Sequence, residues 1–504
     1  MRSLRACLLV LCLAPLAACS EKGPDVEKVK QDITAELNAF AGPDGQKYLA
    51  YDAVDAAAAD DKVKVTIKGT KFLVPGAEPL MIGDIELQAL PKGEDQYEIS
   101  DLRIPGQLAF KGPQGDIVVD IGTQNWSGLW STKYHTYLSA DAKYGGIKVS
   151  GPAMQGATVD LGEITFKSAS EDKGNGTFDQ TTTGTLTSLA FSGPEGSGTF
   201  NGGEFRSELK GAKLAELQAL GRDWQSLVLT AGEGKPTDAT LLTRLKSYAG
   251  VLAALSTHAD LTGVSFKDPS GAEMFSLEHL VIDGGGNALD QPKAGLSFGL
   301  ELLGLKVPAA DLDPAIAAHR QFIPTIVRLG YALDDLPAKE LWSAWLDLIG
   351  GGVFQPGNEA VAEMAAQAFG MQFVQLANEA GSAFRLTNLE LEAPAARFKM
   401  DGSVKGDTAS PMGVTGAANV EVTGLDAMAD AVRQSMPPEE AAGVGGAFDL
   451  VRGFSNRETT ADNKVVDRYA VVLAPTGEMT INNKPFDLFG TMMGMPTDPG
   501  APPQ

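Results

Sequence analysis

Four histidines, three cysteines and one run of aromatic rings are the side chains of this sequence with most chemistry to offer. His135, His258, His279 and His319 stand apart, with no His-Glu-x-x-His and no His-x-His pair. A histidine metal site would have to be assembled at long range, and each ring reads as a structural or surface histidine. There is no Gly-x-Ser-x-Gly elbow, no phosphate-binding Gly-x-x-x-x-Gly-Lys-Ser/Thr loop, and no Gly-x-Gly-x-x-Gly between a strand and a helix. The stretch Asp172 to Asp179 has oxygen ligands and glycines but lacks calcium-loop spacing and a closing Glu, so it reads as a hairpin turn. These motifs call for no cofactor and no metal. The richest cluster is Trp126, Trp130, Tyr134, His135, Tyr137 and Tyr144. In an extended chain Trp126, Trp130 and Tyr134 share a face, and with Tyr137 they are the candidate ligand platform of the kind that sugars or lipid head groups use. The same rings also fit the bulky side of a sheet packed on a helix, and packing is the favoured reading because buried aromatics commonly serve it.

Cys7, Cys12 and Cys19 all lie in the first segment, MRSLRACLLVLCLAPLAACS, which has a basic start, an apolar stretch from Ala6 to Ala17 and small residues before Cys19. That is secretory signal anatomy. Its ending, Leu16-Ala17-Ala18-Cys19, resembles the lipobox of bacterial lipoproteins, which implies lipidation of Cys19 and cleavage after Ala18. The alternative is an ordinary signal peptide with an incidental cysteine. Two or more acyl chains, at about 0.8 kcal/mol per buried methylene, hold a protein on a membrane almost permanently. Ser20 after the cysteine implies sorting to the outer membrane, facing the periplasm. Removal of Cys7 and Cys12 would exclude a disulfide framework, a cysteine-ligated zinc site and a cysteine nucleophile. The formal net charge of −23, with no Lys/Arg cluster to offset it, excludes nucleic acid as a partner.

Stepping along the chain, Val26, Val29, Ile33, Leu37 and Phe40 predict an amphipathic helix, able to pack on the body or lie at a bilayer surface. From Lys62 the pattern alternates, in VKVTIKG, IGDIELQAL, DIVVDIG and their successors, predicting strands between Gly, Pro and Asp turns. A motif recurs: Leu108-Ala-Phe110-Lys-Gly-Pro113-Gln-Gly115, Leu189-Ala-Phe191-Ser-Gly-Pro194-Glu-Gly196 and Val264-Ser-Phe266-Lys-Asp-Pro269-Ser-Gly271, with looser echoes at Phe72 to Gly76 and Val472 to Gly477. It predicts related hairpins, or else convergent turn chemistry in a Gly-rich β protein.

Helical periodicity returns over Glu208 to Leu229, Asp238 to Leu255 and a larger block from Leu312 to Ala380. The expected organisation is a signal peptide at 1–18, a lipidated N-terminus and amphipathic helix at 19–58, and a β-rich region at 59–308 with a helical insert at 208–256. A helical block follows at 309–382, a C-terminal β-rich region with short helices at 383–490, and a disordered tail at 491–504. The fold class is α+β: a long curved antiparallel β-sheet built of related hairpins, with an inserted helical pair and a helical block.

The order of lipobox, helix, Gly-rich β region, helical middle and a closing Gly477-x-x-Thr480-Ile481-Asn482-Asn483-Lys484-Pro485-Phe486 strand resembles uncharacterised bacterial envelope proteins of the YdgA-like and AsmA-like type. The likeness is clearest from Met412 to Leu488, which includes the Leu425-Asp426-Ala427-Met428 helix start. Such proteins are built of long curved sheets, and some are implicated in lipid traffic and outer-membrane homeostasis. They usually begin with a transmembrane segment, where this chain has a lipobox. The resemblance implies a non-catalytic envelope lipoprotein, anchored through Cys19, that handles lipid or scaffolds envelope proteins. A glycan- or protein-binding module is the second class, and an enzyme the third.

Overall fold

The computed structural model describes residues 23–41, 49–73, 78–112, 115–232, 238–308, 312, 317–350, 359–435, 438–461 and 463–486. Cys19, the signal segment at 1–18, Pro75, Gly76, Pro113 and the tail at 491–504 lie outside the described residues. Among those described, 24 strands join one large, mostly antiparallel sheet. It is a meander, since almost every strand pairs with its neighbour in sequence, and the alternating Val, Ile and Thr of segments such as Lys62–Phe72 explain why the strands form. The repeated motif closes hairpins at one end of the sheet. Gly112 pairs with Gly115, Gly193 with Gly196, and the amide of Gly271 donates to the Asp268 carbonyl at 3.0 Å. Gly196 shows why glycine is required: its φ is +133°, and a Cβ there would sit 2.3 Å from the Lys267 carbonyl oxygen.

Among the described residues seven helices accompany the sheet. They are α1 (Val26–Ala41), α2 (Leu214–Gly232), α3 (Ala239–Ser247), α4 (Ala338–Gly350), α5 (Glu359–Ala380), α6 (Leu425–Ser435) and α7 (Pro438–Phe454). The pair α2 and α3 lies between strands Gly202–Ala212 and Ala254–Lys267, so Glu208 and Leu255, expected as helical, belong to strands. Asp238 caps α3 by accepting the Thr240 amide at 2.9 Å.

The helical block needs a larger correction. Ile326–Leu336, read as part of a helix, is a strand paired on both sides with Ala294–Leu303 and Ala383–Ala393. Pro324 disfavours helix at the residue before it, the β-branched Ile326 and Val327 follow, and Val327, Leu329 and Tyr331 then alternate with Arg328 and Gly330. Among the described residues, α4 and α5 are the full helices of the expected block, along with a short 3-10 turn at Arg320–Phe322.

Directly paired residues of antiparallel strands point to the same face, so the register can be followed across the sheet. One row runs Trp126, Ala142, Phe166, Gly184, Phe205, Ala259, Ile282 and then Leu300, Leu329, Leu389, Met400, Val420, Tyr469. Every member is apolar, glycine or aromatic. The adjoining residue on each strand gives the opposite face: Glu204, Asp260, Val281, Glu301, Arg328, Glu390, Lys399, Glu421 and Arg468. The sheet is therefore amphipathic across its width. Arg328 bridges Glu301 at 3.0 Å and Glu390 at 2.9 Å, and Arg468 binds Glu421 at 3.0 Å.

Candidate functional site: an apolar face with a roofed cavity

At the N-terminal end the apolar face is closed over by α1. Val29 packs with Val63, Val65, Leu87, Ala89, Tyr97 and Ile99, all buried. These strand residues share the face of the long row, because Val63 pairs with Ala89, Ala89 with Ile99, and Ile99 with Gly128 between Trp126 and Trp130. At the C-terminal end Met428 of α6 and Phe448 and Phe454 of α7 cover Phe398, Val420, Val422 and Tyr469. Between the two roofs large apolar side chains of the same face meet solvent: Ile282 is 39% exposed, Leu296 43% and Phe384 44%, with Phe166, Leu391 and Val404 also exposed. Large exposed apolar side chains gathered on one face mark a place where something else sits.

The roof at α1 is not tightly packed. A cavity of about 480 Å³ lies between α1, α2 and the sheet, within the range of small-ligand pockets. Its wall is Ile33 and Leu37 of α1 with Ile67, Leu87, Ile99, Trp130 and Tyr137 of the strands. Its rim is polar: Asp32, Glu36, His135, and Gln218, Arg222 and Gln225 of α2. At that rim the Tyr97 hydroxyl donates to Asp32, and the Lys28 ammonium donates to Tyr97 at 3.3 Å and to Asp32 at 2.8 Å. Burial pushes the Asp32 carboxyl up, but the hydrogen bonds from Lys28 and Tyr97 outweigh it and hold the group below the usual carboxylate range. Burial, with the Tyr144 phenol nearby, pushes the Tyr137 phenol well up, so it stays protonated. The Trp130 indole N–H is buried without an acceptor, an orphan donor in the cavity wall.

The aromatic cluster is brought together in part. Trp126 and Trp130 lie on strand Gly115–Ser131, and Tyr137 wedges between them edge to face, at 4.5 and 4.6 Å. Gly128 leaves room for that ring, since a Cβ would meet Tyr137 Cδ1 at 3.1 Å and the Ser139 carbonyl at 2.6 Å. All three rings pack against the cluster beneath α1. Tyr134, expected on the tryptophan face, lies in the following turn and packs on Phe178 at 4.9 Å. The strand ends at Ser131, so the extended spacing does not carry on to Tyr134.

Three of the four histidines bind carboxylates, and His319 precedes the 3-10 turn at Arg320–Phe322. His135 Nδ1 lies 3.0 Å from Glu36, His258 Nδ1 2.8 Å from Asp283, and His279 Nδ1 3.0 Å from Asp260. Among the described residues no group of three or more His, Cys, Asp and Glu side chains could hold a metal ion, and no helix is long and apolar enough to cross a membrane. The site can thus offer a long apolar surface, a cavity at one end of it, and polar groups at the rim. Sequence reading found Trp130 and Tyr137 of the cavity wall but missed Ile282, Leu296, Phe384 and the wall residues Ile67, Leu87 and Ile99, because alternation marks which residues of one strand share a face but not which strands align. Comparison with protein-family descriptions, with curated proteins and with solved structures yields no match.

Proposed function

We propose that this chain is a non-catalytic envelope lipoprotein, held on the periplasmic side of a membrane through acyl chains on Cys19, that binds or passes lipid along the apolar face of its sheet. The observation that carries this reading is the unbroken apolar row from Trp126 to Tyr469, roofed at both ends, with Phe166 and Ile282 exposed between. An acyl chain laid on that surface gains about 0.8 kcal/mol per methylene removed from water, without any directed contact. A glycan platform needs open, flat ring faces, whereas the edge of Tyr137 meets both Trp126 and Trp130. That favours lipid over sugar.

The test is equilibrium binding of a fluorescent alkyl probe to the delipidated mature protein, compared with a variant carrying Ile282→Asp and Leu296→Asp. Uptake should fall at least tenfold while the circular dichroism spectrum is kept. Undiminished uptake by the folded variant contradicts the reading.

A further inference from the structure

A second cavity, of about 670 Å³, opens at the foot of α6, and unlike the first it is polar. Thr423, Gly424 and Asp426 at the start of α6 line it together with Arg397, Arg457 and Asp467. Asp467 is 1% exposed, and among the described residues neither of its carboxylate oxygens has a hydrogen-bond partner, Arg457 Nε lying 3.9 Å away. A charged carboxylate buried without donors is costly. A group that brought N–H donors would remove that cost. Asp467 also ends an apolar row, since Leu391 pairs with Phe398, Phe398 with Val422, and Val422 with Asp467. The charge therefore stands where a chain lying along the face would place its head.

We infer that this cavity takes the head of an amphiphile carrying a primary ammonium beside an anionic group, with Asp467 receiving the ammonium. The inference rests on the lipid-handling reading. A primary ammonium has N–H donors enough for both orphan oxygens. A quaternary ammonium has none and is held by aromatic faces, and among the described residues of the cavity wall none is aromatic. The anionic neighbour of the ammonium meets Arg457, which lines the same cavity and also pairs with Asp426 in the first turn of α6.

The experiment equilibrates the delipidated mature protein with lipids of identical acyl chains bearing phosphoethanolamine, phosphocholine or phosphoglycerol heads, alongside a headless alkyl probe, and reads bound species by native mass spectrometry. The ethanolamine head should bind on the order of tenfold more tightly than the other two. Asp467→Asn should erase that ranking and leave uptake of the alkyl probe intact. If the three heads bind the parent within about twofold of one another while the alkyl probe binds, the head inference is overturned and the lipid reading stands. If neither the lipids nor the alkyl probe bind, both are overturned. Should Asp467→Asn fail to fold, the ranking on the parent protein decides alone.

Discussion

Beneath α1, the residues Val63, Val65 and Ala89 are fully buried against Val29, while some strands further along the same sheet, and on the same face, Ile282, Leu296 and Phe384 stand open to solvent. The two regions share sheet, face and residue type, and differ only in whether the chain supplies a cover. In the first region the apolar side chains are explained by folding, because burying each one stabilises the native state. In the second they are not, since large exposed apolar groups contribute little to stability and invite association. The strands of the middle are joined by their backbone ladders, and on the other face carboxylates and cations alternate from strand to strand around Glu390. The difference separates residues that serve the fold from residues free to serve a ligand.

If that separation is right, truncations in the two regions should differ most. Ile99→Ala beneath α1 should cost about 2–5 kcal/mol, and Ile282→Ala in the open region less than about 1 kcal/mol. Thermal or urea unfolding checks this, and equal losses would erase the distinction.

Next in size is the charged face. Glu390 is almost completely buried and is bound by Arg328, Arg397 and Lys399. Burial pushes its carboxyl up, but the hydrogen bonds from Arg397 and Arg328 prevail and hold it below the usual glutamate value. Glu390→Gln should therefore cost about 1–3 kcal/mol near neutral pH, the partners being partly exposed. The sign of the pH effect follows from the lowered value. The contribution is complete above the unfolded glutamate value of about 4.3 and is lost as pH falls through the lower folded one. Melting curves from pH 6 down to the acid range of about 3 should converge for parent and variant, and a constant gap would contradict the assignment.

A smaller effect is expected at the hairpins. Gly196→Val meets both a left-handed φ and the Lys267 carbonyl, whereas Gly271, with φ +85°, has no atom within 4 Å of a Cβ. Gly196→Val should lower the melting temperature more than Gly271→Val, each costing roughly 1 kcal/mol or more. The reverse order would mean that the turn at Gly196 is not as close-packed as described.

The smallest stability effect belongs to the open face. Phe384→Asp should change stability by no more than about 0.5 kcal/mol, the ordinary range for surface positions. Its alkyl-probe affinity should fall nonetheless, which a scanning calorimeter and a fluorescence titration on the same sample would separate.

Much of this was legible in the sequence, for reasons that differ by element. Strands such as Lys62–Phe72 announce themselves by alternation, and the Pro-x-Gly motif marked hairpin ends at Gly196 and Gly271, because turn chemistry is local. Ile326–Leu336 was hidden, because an Ala- and Leu-rich run fits a helical period as well as a strand one, and only pairing with two neighbours settles it. Tyr137 rather than Tyr134 completes the tryptophan cluster, since the strand turns after Ser131. The apolar row and the orphaned Asp467 belong to register between strands far apart in sequence, which no single segment encodes.

The most direct measurement of where a lipid lies uses an acyl chain bearing a terminal diazirine, photolysed on the mature protein, with adducts located by peptide mass spectrometry. Labelling is expected at Phe166, Ile282, Leu296, Phe384 and Leu391, on the open stretch of the apolar face, with the charged face around Glu301 and Lys399 left unmarked. Adducts spread evenly over both faces, or absent from the open stretch, would contradict the claim that this surface is where the protein holds its ligand.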